Sequence, residues 1–241
     1  MIIFLINVFA LELIQFHPEY QNIKSRSQLR DSEGLLFRCF PNSTSKSMFY
    51  TQSMYHVYQY KENDKTIASI YLNKETYYSN RDYSSLLTNP TPKTVLEIYS
   101  LSIDDSSREK GLALNLIIES INSMIELYSL PKNTTIGLHL NPLDEMMYVS
   151  LYFYISIGFA KGSLVKYGPS DYIFKGEKIK SLDHPFKILM KIIKNEENGK
   201  YLALFANANK IKKFNFDKNK FLKISKFIQK IMFKDTEEEE L

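Results

Sequence analysis

The stretch that decides the fold reads SSREKGLA and occupies residues 106–113. It lies between an apolar run at residues 94–103, which predicts a β-strand, and an amphipathic run at residues 111–128, which predicts an α-helix. The first N–H groups of a helix have no intrahelical partner, and the helix dipole favours negative charge beside them. Glycine lets a phosphate approach that backbone closely. The stretch therefore indicates either a pyrophosphate site or a tight strand-to-helix turn with a surface arginine.

The flanking segments predict a sheet covered by helices. Residues 54–60 and 65–72 are aromatic and alternate in polarity, which predicts a β-hairpin. Residues 135–140 predict a further strand, and Asn141 and Pro142 suit the start of a helix that runs to residue 157. The remaining expectations are a strand within residues 1–16, a helix at 28–40, a loop at 73–93 and two strands within 160–193. This order favours an α/β or α+β fold with a mixed sheet.

A second motif makes the pattern specific. Residues 153–159 read FYISIGF near the end of the predicted helix. Together with Arg108, Gly111 and Ala113, this motif resembles the GNAT (N-acetyltransferase) superfamily, whose loop reads Gln/Arg-x-x-Gly-x-Gly/Ala and whose later helix ends in Leu-Tyr-x-x-x-Gly-Phe. The resemblance covers roughly residues 54–193. It implies a GNAT-like, mostly antiparallel central sheet flanked by helices, and acetyl-CoA as the acetyl donor.

The resemblance also implies where the donor binds. The strand at residues 135–140 is expected to splay from the strand at 94–103, with acetyl-CoA in the gap. The backbone that pairs with the pantetheine arm is expected at Leu101, Ser102 and Ile103. The N–H groups that hold the pyrophosphate are expected in the segment Arg108, Glu109, Lys110, Gly111, Leu112 and Ala113. One departure from the family is Met147, which stands where an asparagine often contacts the cofactor.

Two residues are candidates for proton transfer. Glu97 interrupts an apolar strand, and a buried carboxylate is costly unless it has a partner or a task. Burial is expected to raise its pKa towards the range of a general base, the role that the resemblance also implies; the alternative is a solvent-facing glutamate. Tyr154 is implied by the resemblance as the general acid that protonates the coenzyme A thiolate. Its alternative is an aromatic packing residue.

Composition and charge exclude several classes of protein. The chain has 241 residues, of which 44% are hydrophobic, so it can bury a core and is not a disordered polymer. The net charge of +4 is ordinary for this size and predicts no nucleic-acid partner.

Cys39 is the only cysteine, and the four histidines have no partner at metal-ligand spacing, so we expect a reducing compartment and no metal. Residues 1–10 lack a basic region, and no stretch predicts a transmembrane helix, so a cytoplasmic protein is expected.

The C-terminal part reads differently from the rest. We predict a GNAT-like domain over residues 1–195 and a Lys-rich, helical extension over 196–241 that ends in an acidic tail. Residues 218–234 form a basic amphipathic pattern. Such a helix binds an anionic membrane, nucleic acid or a partner groove, or packs its apolar stripe on the body of the same protein, which is the favoured interpretation.

The predicted function is that of an N-acetyltransferase, an acyltransferase that moves the acetyl group of acetyl-CoA to a primary amine. Direct attack in a ternary complex is the expected mechanism, with backbone amides polarising the thioester carbonyl. The alternative is a weak or inactive coenzyme A-binding module that acts through the basic tail, and a third hypothesis is a membrane or nucleic-acid binder with a scaffold core. The acceptor and the oligomeric state are not indicated.

Overall fold

The computed structural model of the chain describes residues 11–17, 23–39, 55–79, 92–140, 147–161, 164–166, 202–211 and 218–232. Packing divides the chain into two units. The first comprises Met1–Asn73 and Tyr99–Ser120, and the second comprises Lys74–Ile98 and Ile121–Leu241. Two strands and one helix therefore contribute residues to both units.

The first unit is built on the predicted hairpin. Strand β1 (Glu12–Phe16) pairs antiparallel with β2 (His56–Glu62), and β2 pairs antiparallel with β3 (Lys65–Ser79). Asn63 and Asp64 connect β2 and β3 with φ angles of 51° and 61°. Asparagine and aspartate tolerate this left-handed conformation, which two-residue hairpin turns require. The predicted hairpin is confirmed.

The first unit also contains an α-helix, a 3-10 helix and the first part of another α-helix. Helix α1 (Ile23–Cys39) begins earlier than predicted and buries Leu29 and Leu36 in a cluster with Phe16, Val57 and Tyr71. Strand β4 (Pro92–Ile103) follows β3 in the strand order, and the Asp104 N–H donates to the Ile67 carbonyl. A 3-10 helix (Asp105–Lys110) then leads into α2 (Leu112–Leu127), as the amphipathic pattern predicted.

The second unit contains both parallel and antiparallel strand pairs. Strand β5 (Thr135–Leu140) pairs parallel with β4 and antiparallel with β8 (Leu202–Asn207), and β8 pairs with β6 (Ala160–Lys161). Strand β7 (Leu164–Lys166) pairs antiparallel with the end of β3. The helices described here are α3 (Met147–Ser156), α4 (Ala208–Ile211) and α5 (Lys218–Met232). The predicted class, a mixed and mostly antiparallel sheet flanked by helices, is confirmed.

Two local predictions were wrong. Residues 73–79 were expected in a loop but extend β3, because β7 pairs with them over Tyr77–Ser79. Residues 202–207 were expected in a helical extension but form β8, whose backbone pairs with β5 along its whole length. The domain boundary at residue 195 stays a prediction.

Some predictions lie outside the described residues. They concern residues 1–10, the loop over 80–91, the helix start at 141–146, the last predicted strand at 186–193 and the acidic tail. Among the helices that the structure describes, none combines the length and the apolar character that crossing a bilayer requires. Helix α5 packs on α3 within the second unit, where Phe221 stacks on Tyr152. The predicted packing of this basic helix on its own protein is confirmed.

Candidate active site

Strand β4 pairs with β5 over only part of its length. The parallel register covers Val95–Ile98 opposite Thr135–Leu138, whereas β4 itself runs on to Ile103. Along the edge that faces β5, the register therefore assigns no partner to the described backbone of residues 99–103. Unpaired strand edges present N–H and C=O groups that can bind an extended ligand. Leu101, Ser102 and Ile103, the predicted pantetheine segment, lie in this part of β4.

An aspartate fixes the chain where β4 ends. Asp104 caps the 3-10 helix, because its Oδ1 atom accepts hydrogen bonds from the backbone N–H of Ser106 at 3.2 Å and from the Ser106 hydroxyl at 2.7 Å. Its Oδ2 atom lies 3.0 Å from Lys65 Nζ and 3.7 Å from Arg38 Nη2. The Ser106 hydrogen bonds, followed by that from Lys65, lower the pKa of Asp104 to about 2.

Gly111 separates the 3-10 helix from α2. Its φ angle is 75°, a left-handed conformation that glycine adopts without steric cost. A Cβ atom built on Gly111 would meet no atom within 4 Å, so the space beside this backbone is open. Helix α2 begins at Leu112, and its first N–H groups are of the kind that bind anions. The left-handed backbone and the open space at Gly111 are what the structure shows of this segment, and its role in binding phosphate stays a prediction.

The side chain of Arg108 is held from two sides. Its Nη2 atom lies 2.7 Å from Asp105 Oδ1, and it also hydrogen-bonds to the Cys39 thiol. That thiol donates to the Ile103 carbonyl at 3.5 Å. Burial raises the pKa of Cys39, while the nearby Arg108 opposes this rise. The end of α1 therefore contacts both predicted cofactor segments, a role for Cys39 that the sequence did not reveal.

Glu97 is buried and has a partner that the sequence did not reveal. Its side chain is only 9% exposed, and its Oε1 atom lies 3.0 Å from His139 Nδ1 on β5. Glu97 is in register with Gly137, so His139, two residues further along β5, projects from the same face of the sheet. The solvent-facing alternative for Glu97 is excluded. The two groups can share or transfer a proton, which is the chemistry of a base and its orienting partner.

Tyr154 lies within an aromatic environment in α3. Its ring packs edge-on against Phe153, at 5.2 Å between centroids, and against Phe159, at 5.3 Å. Burial raises its pKa well above the ordinary value, so the phenol stays protonated at neutral pH. A protonated phenol can donate a proton, but it can equally serve as a packing residue, so the role of Tyr154 stays a prediction.

The predicted site residues fall into two groups. The cofactor residues, from Leu101 to Ala113, belong to the first unit, and the proton-transfer candidates Glu97 and Tyr154 belong to the second. His17 Nδ1 lies 2.7 Å from His56 Nδ1, a contact between residues far apart in the sequence that their spacing did not indicate. Within the part of the chain that the structure describes, no three His, Cys, Asp or Glu residues form a cluster that could hold a metal ion.

The chain matches, over residues 21–232, a protein family described as "Putative acetyl-transferase". The chain belongs to this acetyltransferase family. The matched region of the acetyltransferase begins before α1 and ends with α5, so it includes β8 and the basic helix. No curated protein matches the chain.

Several solved structures match this acetyltransferase over most of its length. The IAA acetyltransferase from Bacillus cereus ATCC 14579 is 15% identical, with 82% of this chain and 99% of that chain covered and a TM-score of 0.43. Arabidopsis thaliana Naa50, in complex with the bisubstrate analogue CoA-Ac-MVNAL, is 15% identical, with 80% and 97% covered and a TM-score of 0.43. Escherichia coli ElaA is 11% identical, with 82% and 99% covered and the same TM-score of 0.43.

Proposed function

We propose that this acetyltransferase moves the acetyl group of acetyl-CoA to a primary amine by direct attack in a ternary complex. The observation that carries the proposal is the continuation of β4 beyond its pairing with β5. The strand leaves that register at Ile98, runs to Ile103 and leads to the open backbone at Gly111. An extended, phosphate-bearing ligand matches an unpaired strand edge followed by a helix N-terminus.

The chain's own backbone does most of the binding in this proposal. Leu101, Ser102 and Ile103 offer their peptide groups to the amide groups of the pantetheine arm. The N–H groups of residues 108–113 hold the pyrophosphate, for which the αL conformation of Gly111 leaves room. Arg108, already oriented by Asp105, adds positive charge beside that segment. When bound, acetyl-CoA supplies a thioester carbonyl that an amine can attack.

Glu97 is the proposed acceptor of the amine proton. A lysine-type ammonium has a pKa near ~10.4, so it must lose a proton before it attacks. The carboxylate of Glu97 is buried and held by His139, which limits its rotamers and keeps one oxygen in a hydrogen bond. Glu97 and Leu101 are four residues apart on one strand, about 13 Å along β4. The proposed base therefore precedes the proposed pantetheine segment on the same strand.

Tyr154 is the proposed donor of a proton to the leaving thiolate. Its raised pKa keeps the phenol protonated at neutral pH, as a general acid requires. The sulfur of coenzyme A leaves as a thiolate, and a phenol placed beside it can supply the proton that converts the thiolate to a thiol. The cytoplasmic location and the lack of a nucleic-acid partner stay predictions from the sequence.

The first test is acetyl-CoA binding by calorimetry. We expect the wild type to bind and Gly111→Glu to lose about 100-fold in affinity, since a carboxylate would occupy the open space and repel the pyrophosphate. Gly34→Ala, in the middle of α1 with only Arg38 Nη1 at 3.7 Å from its added Cβ, is the control and should bind as the wild type does. Equal binding by Gly111→Glu would refute the proposed phosphate segment.

The second test is release of the coenzyme A thiol with a panel of primary amines. The panel contains a peptide with a free N-terminus, a peptide with an internal lysine and a polyamine. Transfer to any of them supports the proposal. Binding of acetyl-CoA without transfer to these amines would favour the alternative, a coenzyme A-binding module, which the methionine at position 147 also permits.

A further inference from the structure

A chain of aromatic rings connects α5 with the candidate general acid. Phe221 of α5 stacks on Tyr152, with 5.5 Å between ring centroids and 5° between ring planes. It also meets Phe153 edge-on at 5.8 Å, and Phe153 meets Tyr154 at 5.2 Å. Tyr154 in turn meets Phe159 at 5.3 Å. All five residues lie in the second unit.

The position of Phe221 restricts rotation of α3. Consecutive residues on a helix project about 100° apart, so a ring that touches both Tyr152 and Phe153 occupies the groove between them. Rolling α3 about its axis would break one of these two contacts. Tyr152 is 3% exposed, so its ring has little freedom to follow such a movement. Phe221, which belongs to a separate helix, therefore limits the rotation of α3.

The position of the Tyr154 ring is linked to that of Phe221 through the rings next to it. Its ring is held by Phe153 on one side and Phe159 on the other. Aromatic pairs favour edge-to-face geometry at these distances, so movement of Phe153 shifts the preferred position of the Tyr154 ring. A general acid must lie within about 3 Å of the atom that it protonates, and small displacements cost rate.

We propose that Phe221 is a positioning residue for Tyr154, and that α5 belongs to the catalytic apparatus of the acetyltransferase rather than to an appended tail. The inference rests on the proposed function of Tyr154. Phe221 does not touch the reacting atoms; it acts through Phe153. Removal of its ring leaves a space beside Tyr152 and Phe153 that permits α3 to roll.

The test compares variants of the full chain. Phe221→Ala removes the ring that contacts α3, and Phe221→Tyr keeps it. Phe227→Ala is the control, because it removes a ring of the same helix whose side chain is 51% exposed. We expect Phe221→Ala to lower kcat about 10-fold with little change in KM for acetyl-CoA. The reason is that the change weakens only the contact that Tyr154 makes with the transition state. Phe221→Tyr should restore most of kcat, and Phe227→Ala should match the wild type. Should Phe221→Ala fail to fold, Phe221→Leu takes its place.

A double-mutant cycle separates positioning from general stability. In a Tyr154→Phe background the phenol is already absent, so Phe221→Ala should lower kcat by less than twofold. A loss of the same size in both backgrounds would show that Phe221 acts only on stability, and would overturn the inference. Unchanged kcat in Phe221→Ala would overturn it as well.

A readout independent of activity distinguishes failure of the inference from failure of the proposed function. The protein is labelled with 3-fluorotyrosine, and the Tyr154 signal in the ¹⁹F NMR spectrum is assigned by its loss in Tyr154→Phe. We expect this signal to shift or broaden in Phe221→Ala and to remain in Phe227→Ala. If the wild type neither binds acetyl-CoA nor releases coenzyme A, the proposed function fails, while this signal still decides whether Phe221 holds Tyr154. An unchanged signal in Phe221→Ala refutes the positioning role.

Discussion

The Nδ1 atom of His139 lies 3.0 Å from the Oε1 atom of Glu97, and the two residues come from neighbouring parallel strands. Gly137 stands opposite Glu97 in the register, and His139 follows two positions later on the same face of β5. The space that a side chain at position 137 would fill is taken by Phe205 and Val95. A buried carboxylate, its imidazole partner and an aromatic ring therefore share one face of the sheet.

Replacing the carboxylate should affect catalysis and not donor binding. We expect Glu97→Gln to lower kcat by about 100- to 10,000-fold, the range typical of a lost general base, with the affinity for acetyl-CoA unchanged. Steady-state kinetics with the amine found by the panel, together with calorimetry, measure the two quantities. Glu126→Gln changes an exposed glutamate of α2 and should behave as the wild type. Full activity of Glu97→Gln would exclude Glu97 as the base.

His139 should matter less than Glu97 and only through it. We expect His139→Gln to lower kcat about 10-fold, because Glu97 loses the imidazole that holds its Oε1 atom. In the Glu97→Gln background the same change should have little further effect. Additive losses would instead assign His139 a role of its own.

A methyl group at position 137 should destabilise the second unit. The Cβ atom of alanine would lie 2.9 Å from Phe205 Cε1 and 3.0 Å from Val95 Cγ1. Overpacking of this kind costs about 1–3 kcal/mol, which urea unfolding can measure. Gly34→Ala, in a helix interior with open surroundings, should instead stabilise by about 0.5–1 kcal/mol. Recovery by Phe205→Leu in the Gly137→Ala background would confirm the clash; unchanged stability of Gly137→Ala would contradict it.

A buried hydrogen bond joins α1 to the sheet of the first unit. The Ser32 hydroxyl donates to the Leu29 carbonyl at 2.9 Å, so the Tyr71 hydroxyl, also at 2.9 Å, donates to Ser32. Burial raises the pKa of Tyr71 to about 12, which keeps the donor protonated. Ser32→Ala leaves this phenol without its acceptor and should cost about 1–3 kcal/mol in the free energy of unfolding.

For the Ser32–Tyr71 hydrogen bond, removing both partners should cost less stability than removing Ser32 alone. Tyr71→Phe should restore part of the stability lost in Ser32→Ala, since neither partner then remains to be satisfied. Ser120→Ala is the control, because the Ser120 hydroxyl makes a local bond to the Ile117 carbonyl within α2. Additive losses for Ser32→Ala and Tyr71→Phe in chemical denaturation would argue against the hydrogen bond.

Acid should weaken the junction between β4 and the 3-10 helix. The folded-state pKa of Asp104, about 2, lies below the ordinary value of 3.8, so its contribution is complete above about pH 4 and is lost as the pH falls towards 2. The cationic partners Lys65 and Arg38 are mostly exposed and therefore screened by solvent, so we expect about 1 kcal/mol for Asp104→Ala at pH 7. The difference in stability between Asp104→Ala and the wild type should shrink between pH 4 and pH 2. Asp104→Asn, which can still cap, should lose less; a pH-independent difference would contradict the assignment.

Much of the fold was predictable because it depends on near neighbours in the chain. The alternation of residues 135–140 gave the bounds of β5, and the alternating runs at 54–60 and 65–72 gave the hairpin. The amphipathic pattern placed the start of α2 at Gly111, one position before the first helical residue, Leu112. The apolar residues around Glu97 made burial one of two predicted environments, and only the structure decided for it.

Other features depend on segments that are distant in the sequence. Residues 202–207 are apolar enough for either a strand or a helix, and pairing with β5 decides for a strand. The lysine spacing of α5 could not indicate that Phe221 stacks on Tyr152. His139 gave no signal by itself, because only the register of β4 with β5 brings it to Glu97.

The sequence by itself determined the periodicities, the turns and the two motifs that indicate an acetyltransferase, because steric preference and residue spacing act over a few positions. The tertiary structure alone decided which strand satisfies the backbone of β5, which imidazole contacts Glu97 and which helix packs against α3. Those outcomes arise from hydrogen-bond pairing and packing between remote segments, whose partners no local pattern specifies.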